Sequence, residues 1–194
     1  MKIIGISGTN GSGKDTVSKM LAEQHGFLFV DASTMFVEEL KKRGWPIDRE
    51  HKSRLSAEWR REFGMGAFVD KAVDLFNQDL AKYKGLVVGS LRHPGEADSV
   101  HNLDGVVVWV DADPRVRYDR IQSNLNERKG IHAEEGKSYE DFLAEQKREM
   151  TPVGDSATLD MSGVYKKADI FLENNDNDIE AFKTTAEKAL KHLL

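Results

Sequence analysis

The stretch GTNGSGKDT, Gly8 to Thr16, concentrates residue types suited to holding anions. Gly8, Gly13 and Lys14 stand at the spacing Gly-x-x-x-x-Gly-Lys, directly after the apolar run KIIGIS (2–7). Glycines let successive backbone N–H groups turn inward without a Cβ in the way. Those groups, with the start of the following helix, grip phosphate oxygens. Asn10, Gly11 and Ser12 complete the turn, and Lys14 adds a point charge. This is chemistry for holding the polyphosphate of a nucleotide such as ATP. The usual pattern places a hydroxyl immediately after the lysine, where it binds Mg2+. Here Asp15 takes that position and Thr16 follows one residue late. Asp15 either caps the helix start, where a carboxylate suits the helix dipole, or bonds a metal-bound water. The Thr16 hydroxyl is expected on a phosphate oxygen or, through water, on the metal.

Further polar residues cluster just past apolar runs, where ligands of parallel α/β sheets gather. FLFVD ends at Asp31, either a base or metal-water ligand or the cap of the next helix; Ser33 and Thr34 bond an acceptor or cap that helix. GLVVGS leads into LRHPGEAD, which brings Arg92, an arginine placed to clamp a phosphate bidentately. His93 and Pro94 are expected to shape the turn. GVVVWV leads into DADPRVRYDR, with Arg115, Arg117 and Arg120, and Arg128 follows in the polar segment from Asn126 to Lys137. Arg117, Arg120 and Arg128 are the expected cations for neutralising a transferring phosphoryl group. Arg148 could reach the same place from the next helix.

The elements that must position these residues alternate along the chain. Five apolar runs, 2–7, 27–31, 85–90, 105–110 and 168–173, are mostly continuous rather than alternating, as in strands buried on both faces. Between them lie helical patterns: Lys14–His25, a long stretch from Ser56 to Tyr83 broken near Gly64 and Gly66, one opening with Asp113 and Pro114, one capped by Ser138 with Asp141, and a last helix over Asp178–Leu193. The alternation predicts an α/β fold with an open parallel sheet. The Asn126–Lys137 segment is expected to be a mobile surface loop. Of the 194 residues 39% are hydrophobic and 31% charged, enough for one sizeable core. A net charge of −5 argues against broad nucleic-acid binding. Absence of cysteine excludes disulfides and thiolate metal sites. No apolar run approaches the ~20 residues that span a bilayer, and no basic-then-apolar leader precedes the first strand, so the expected location is cytoplasmic and no membrane partner is expected.

Taken together, GTNGSGKDT, GSLRHPGEAD, VDADPRVRYDR, NERKG, SYEDF and ADIFLEN resemble, over nearly the full length, the P-loop kinases of the nucleoside-monophosphate kinase group, which includes adenylate kinase and dephospho-CoA kinase. Within it the chain is most similar to adenylate-kinase-like proteins common in archaea. The resemblance implies one P-loop kinase domain over 1–194, a three-layer α/β/α sandwich with a five-stranded parallel sheet of order 2-3-1-4-5. It implies an acceptor-binding helical region at about 33–82 and a lid at about 126–137. ATP with Mg2+ would sit at Gly8–Thr16, the acceptor near Arg92, and Asn174 or Asn175 near the purine base. The GKDT order matches the adenylate-kinase arrangement in which the metal is held largely through water. Two departures stand out. The acceptor-phosphate arginine usual after the second strand is absent, its position falling at Val37, so Arg54, Arg60 or Arg61 would have to replace it. SLR also replaces Asp-Gly-Ile-Arg, which leaves Asp31 or Asp111 to supply an acidic group near the metal.

Three functions follow. The first is an ATP-dependent kinase of a nucleoside or deoxynucleoside monophosphate, a small-molecule nucleotide acceptor. The second is a dephospho-CoA-kinase-like enzyme, with Asp31 taking the proton of a ribose hydroxyl. The third is a P-loop ATPase or nucleotide switch acting with a protein partner.

Overall fold

The computed structural model describes residues 1–124 and 138–194. The five apolar runs form β1 (Lys2–Gly8), β2 (Phe27–Asp31), β3 (Gly85–Gly89), β4 (Val106–Asp111) and β5 (Ile170–Glu173). All pair in parallel, in the order β2-β3-β1-β4-β5. β1 is central, with Ile4 in register with Val87 of β3 and Val106 of β4. Its carboxyl end therefore opens between two neighbours, and the loop after it projects from the middle of the sheet edge.

Helices cover both faces, as strands apolar on both sides require. One face packs on α1 (Lys14–His25) and α9 (Ile179–Leu190), through Val17, Leu21, Phe182 and Leu190. The other packs on α4 (Ala67–Asn77), α5 (Pro94–Asn102) and α8 (Met161–Lys166), through Val69, Ala72, Ala97, Val100 and Val164. A smaller cluster of Leu40, Leu55 and Trp59 joins α2 (Ala32–Arg43) to α3 (Arg49–Phe63). α6 (Pro114–Ser123) and α7 (Tyr139–Met150) complete the α-helices among the described residues, and a short 3-10 helix, Lys191–Leu193, follows α9. None of these is long and apolar enough to cross a membrane.

The break expected at Gly64 and Gly66 separates α3 from α4. Two differences from the sequence reading bear on the site. α3 begins seven residues before Ser56, because the Asp48 side chain accepts from the His51 N–H and caps it. The segment expected only to turn at His93 and Pro94 is the start of α5. There the His93 side chain accepts from Gly95 N–H, Glu96 reaches back to the His93 N–H, and Pro94 sits in the first turn.

Candidate active site at the carboxyl edge of the sheet

The loop after β1 takes its shape from its neighbours. Thr9 Oγ1 donates to Asp111 Oδ1 at 2.6 Å, tying the loop to the end of β4. Asn174 Nδ2 donates to the Ser12 carbonyl at 2.8 Å, tying it to the end of β5. Gly13 follows at φ 96°, where a Cβ would lie 2.5 Å from Asn174 Nδ2, so only glycine turns the chain here into α1. The first bonds of α1 run from the Thr16 and Val17 N–H groups to the Gly13 carbonyl, so the N–H groups of Lys14 and Asp15 precede the helical ladder, and Asn10, Gly11, Gly13, Lys14, Asp15 and Thr16 all line one cavity of about 570 Å3. That volume lies within the common range for small-molecule sites. Ser12 is fully buried, does not line the cavity, and its hydroxyl has no hydrogen-bond partner among the described residues.

The expected cations separate. Arg120 lines the cavity beside Asn124 and Asp176. Its Nε donates to Asn177 Oδ1 at 3.1 Å and its Nη2 to the Asp176 carbonyl, while Nη1 is buried without a partner among the described residues. Arg117 does not line the cavity, which corrects the expectation that it faces the transferring group. It is 1% exposed, under the loop. Its Nε donates to the Ala112 carbonyl at 2.7 Å, Nη1 to the Asn10 carbonyl at 3.4 Å and Nη2 to Gln146 Oε1 at 2.7 Å, with the guanidinium over the Phe142 ring. It braces the loop from behind. Asn174 lines the cavity, but its amide is committed to the loop, and Asn175 Oδ1 accepts from Asp113 N–H. Asn174 Oδ1 accepts from Arg120 Nη2 at 3.4 Å, so both ends of that amide are engaged, whereas Asn175 is exposed. Arg128, with the whole 126–137 segment, lies outside the described residues. Arg148 is on the exposed side of α7 and does not line the cavity.

The other end of the cavity is built by β2, α2, α3 and the turn after β3. Asp31 lines it and also caps α2, accepting from Thr34 N–H at 3.3 Å, so the cap does not take it out of the cavity wall. Burial pushes its carboxyl above the usual range; a hydrogen bond from Ser90 opposes this, Asp15 adds to it, and Lys14 counters again. Ser33 also lines the cavity, whereas Thr34 is an exposed first-turn residue of α2. Arg92 lines the cavity at the turn after β3, and its backbone N–H donates to Glu96 Oε2 at 2.7 Å.

None of the three replacements considered for the arginine missing at Val37 supplies a cation to the centre. The Arg54 guanidinium lies over Trp45, 4.7 Å from the ring centroid. Arg61 pairs with Asp155 at the surface. Arg60 reaches the cavity wall but is 4% exposed and pairs with the buried Glu96 at 2.8 Å. Arg49 and Lys52 were not singled out in the sequence, yet both line the cavity, three residues apart on one face of α3. Burial lowers the Lys52 pKa, Asp31 raises it, and Arg92 and Arg49 lower it further, so the three cations share one field. The signal for them was Asp48: once it is recognised as a cap, Arg49 and Lys52 fall on the first turn of a helix.

Among the described residues there is no group of three His, Cys, Asp or Glu side chains that would hold a metal alone. Among the oxygen-bearing residues that line the cavity are Thr16, Asp15 and Asp31, those that the sequence offers for a metal. Asp15 is 62% exposed on its side chain, with Lys14 Nζ 3.6 Å away. Such a set fits Mg2+, which keeps several waters and takes one or two carboxylates together with substrate phosphates. Asp111, the other acidic residue considered, is occupied by Thr9 Oγ1 and Ala112 N–H.

A glycine-rich loop leading from the central strand of a 2-3-1-4-5 parallel sheet into a helix that begins with lysine is the arrangement of a P-loop protein. Comparison with known proteins agrees. A family model described as an AAA domain matches residues 4–147. A cytidylate kinase of Archaeoglobus fulgidus is 32% identical over 142 residues, which cover 73% of this chain and 72% of that protein. A UPF0200 protein of Pyrococcus abyssi is 28% identical over 196 residues, 99% of this chain and 97% of that one. The solved shikimate kinase of Bacteroides thetaiotaomicron superposes with a TM-score of 0.56 at 15% identity, over 97% of this chain and 98% of that one, a likeness of fold. The chain belongs to this AAA-domain family and, within it, to the P-loop kinases of the nucleoside-monophosphate kinase-like group.

Proposed function

We propose that the protein transfers the γ-phosphoryl group of ATP to the phosphate of a nucleoside or deoxynucleoside monophosphate. The observation that carries this is the pairing, within one cavity, of the phosphate loop with Arg49, Lys52 and Arg92 at the opposite end. A phosphate acceptor is already ionised and needs no strong base. It needs cations that hold it, orient an oxygen towards the γ-phosphorus and offset charge as the bond to the β–γ bridging oxygen breaks. Lys14 and the N–H groups of the loop and first turn of α1 hold ATP, and Arg120 stands at the same end. Mg2+, when bound, supplies further charge neutralisation; Thr16, Asp15 and Asp31 are the residues placed to hold it, the last two through water. A nucleotide substrate of this kind also fits a cytoplasmic enzyme.

Asp31 favours a second reading, in which the acceptor is a ribose hydroxyl, as in dephospho-CoA. Its carboxyl lines the cavity, and burial raises its pKa towards that of a useful base. An ATP-consumption screen across the nucleoside and deoxynucleoside monophosphates and dephospho-CoA separates the two. We expect turnover with at least one monophosphate. With that acceptor, Arg92→Ala should raise KM by about 10-fold or more and lower kcat, and Asp31→Asn should cost less than about 10-fold. Turnover of dephospho-CoA that vanishes in Asp31→Asn would establish the second reading instead. ATP hydrolysis with none of these acceptors would point to the partner-dependent ATPase.

The displaced hydroxyl gives a further test. Asp15→Ser should keep activity within about 10-fold of the wild type, a loss of at most about 1.4 kcal/mol. Thr16→Val should do more damage, because the hydroxyl is lost from the first turn of α1. Steady-state rates at saturating ATP and acceptor compare the two; the reverse order would make Asp15 the metal-contacting residue.

A further inference from the structure

Glu149 stands behind the acceptor end of the cavity. It does not line the cavity, yet two of the three cations there converge on it. Its Oε1 accepts from Arg92 Nη1 at 2.7 Å and also from Arg49 Nη2. Arg49 Nη1 pairs in addition with Glu145, one turn earlier on α7. The Glu149 side chain is 12% exposed. Burial works to raise its pKa, but Arg92 and Arg49 outweigh burial by charge and hydrogen bonding and hold it at about 2, so it is a carboxylate at any working pH.

The two arginines come from unrelated places in the fold. Arg49 is the first residue of α3, and Arg92 sits in the turn between β3 and α5. Two guanidinium groups side by side repel each other, and both side chains are long enough to swing apart. A buried anion bonded to both removes that repulsion and fixes each on a common wall. Arg92 gives only Nη1 to Glu149. Among the described residues its Nε and Nη2 bond nothing else, so one edge of the fork remains for a ligand.

We propose that Glu149 is a positioning residue: from outside the cavity it holds Arg49 and Arg92 together as one clamp for the phosphate of the acceptor. The kinetic part of this inference rests on the monophosphate-kinase reading; the binding part does not. A carboxylate beside an anion site has two opposing effects. Its charge weakens anion binding, and its hydrogen bonds organise the cations that do the binding. Positioning means that the second effect dominates, so loss of Glu149 weakens the acceptor even though a negative charge has been removed.

Two measurements on the full chain test this. In the first, Glu149→Ala and Glu149→Gln are assayed with ATP and the monophosphate that the wild type turns over fastest. Glu149→Ala should raise acceptor KM by about 10-fold and leave ATP KM within about 2-fold; Glu149→Gln, which keeps a carbonyl to accept from one arginine, should fall between it and the wild type. General damage to the fold would move both KM values together. In the second, inorganic phosphate is the probe in the Lys14→Ala background, where the phosphate loop keeps its N–H groups but loses its charge, so that differences between the variants read the clamp. The rise in Tm caused by phosphate should be present in Lys14→Ala and reduced to a similar extent in Lys14→Ala/Glu149→Ala and Lys14→Ala/Arg92→Ala. An unchanged or larger phosphate response without Glu149, or an unchanged or lower acceptor KM, overturns the inference and makes the carboxylate a mere counterion. If the wild type turns over no monophosphate, the functional reading fails while the phosphate measurement still decides the role of Glu149.

Discussion

Lys14→Ala is expected to lower the rate of phosphoryl transfer by about 100-fold or more, close to 3 kcal/mol of transition-state stabilisation. The Lys14 side chain is 13% exposed, lines the cavity at the start of α1, and lies 3.6 Å from the Asp15 carboxylate. It is not part of the apolar core on the α1 face, where Val17, Met20 and Leu21 pack. Its loss therefore removes a charge aimed at the polyphosphate and leaves the helix and sheet intact. The effect should appear in kcat more than in the KM for ATP. Backbone N–H groups continue to hold the ground-state phosphates, whereas charge accumulating between the β- and γ-phosphates during transfer loses its nearest cation. Steady-state kinetics with saturating acceptor, with circular dichroism and Tm to confirm folding, measure this. A variant with wild-type kcat would remove the phosphate loop from the mechanism.

The sheet was legible because each strand carries its signal within five or six consecutive residues. GLVVG and VVVWV have no polar residue to interrupt them, and burial on both faces is what such runs require. The helices around the acceptor end were harder. REHKSRL, the start of α3, is almost wholly polar on its face towards the cavity, so its period is carried by Leu55 and little else. PGEADSV, the first residues of α5, begins with two helix-breaking residues, and its helical character comes from the His93 and Glu96 capping box and from Ala97 and Val100 beneath it.

The candidate site divides along the same line. The phosphate loop is local, nine consecutive residues whose spacing encodes their geometry, and all of its expected ligand-facing positions except Gly8 and Ser12 line the cavity. The cations are not local. On α6, Arg117 and Arg120 are one turn apart and look equivalent as text, but Arg117 points under the loop towards Phe142 while Arg120 faces the cavity. Which side of a helix faces the ligand depends on the packing of its neighbours, here α7 with Phe142 and Gln146. Arg49 is joined to Arg92 only through Glu149, a contact between residues 57 and 100 positions apart along the chain, which no spacing rule anticipates.

Arg60→Ala is expected to be among the most destabilising single changes outside the apolar core, by about 3–5 kcal/mol, because it leaves a charge buried without its partner. Arg60 and Glu96 are 4% and 2% exposed. Arg60 Nε and Nη2 both donate to Glu96 Oε1, at 3.2 and 2.8 Å, and Nη1 donates to the Ala157 carbonyl and to Ser56 Oγ. Glu96 Oε2 accepts from the backbone N–H groups of Arg92 and His93. The pair thus joins α3, α5 and the segment before α8, and it fixes the turn that presents Arg92 to the cavity. For a chain of this length the loss corresponds to a fall in Tm of about 10 °C or somewhat more. The double variant Arg60→Met/Glu96→Gln should recover part of it: the methionine restores volume, and the neutral amide removes the orphaned charge while its carbonyl still accepts from Arg92 and His93. Thermal unfolding of the single and double variants supplies both numbers. If the single variant loses less than about 1 kcal/mol, as an exposed pair would, Glu96 is not sealed from water as its burial indicates. If Arg60→Ala is strongly destabilised and the double variant is worse still, the energy lies in the hydrogen bonds to α5 rather than in the unpaired charge.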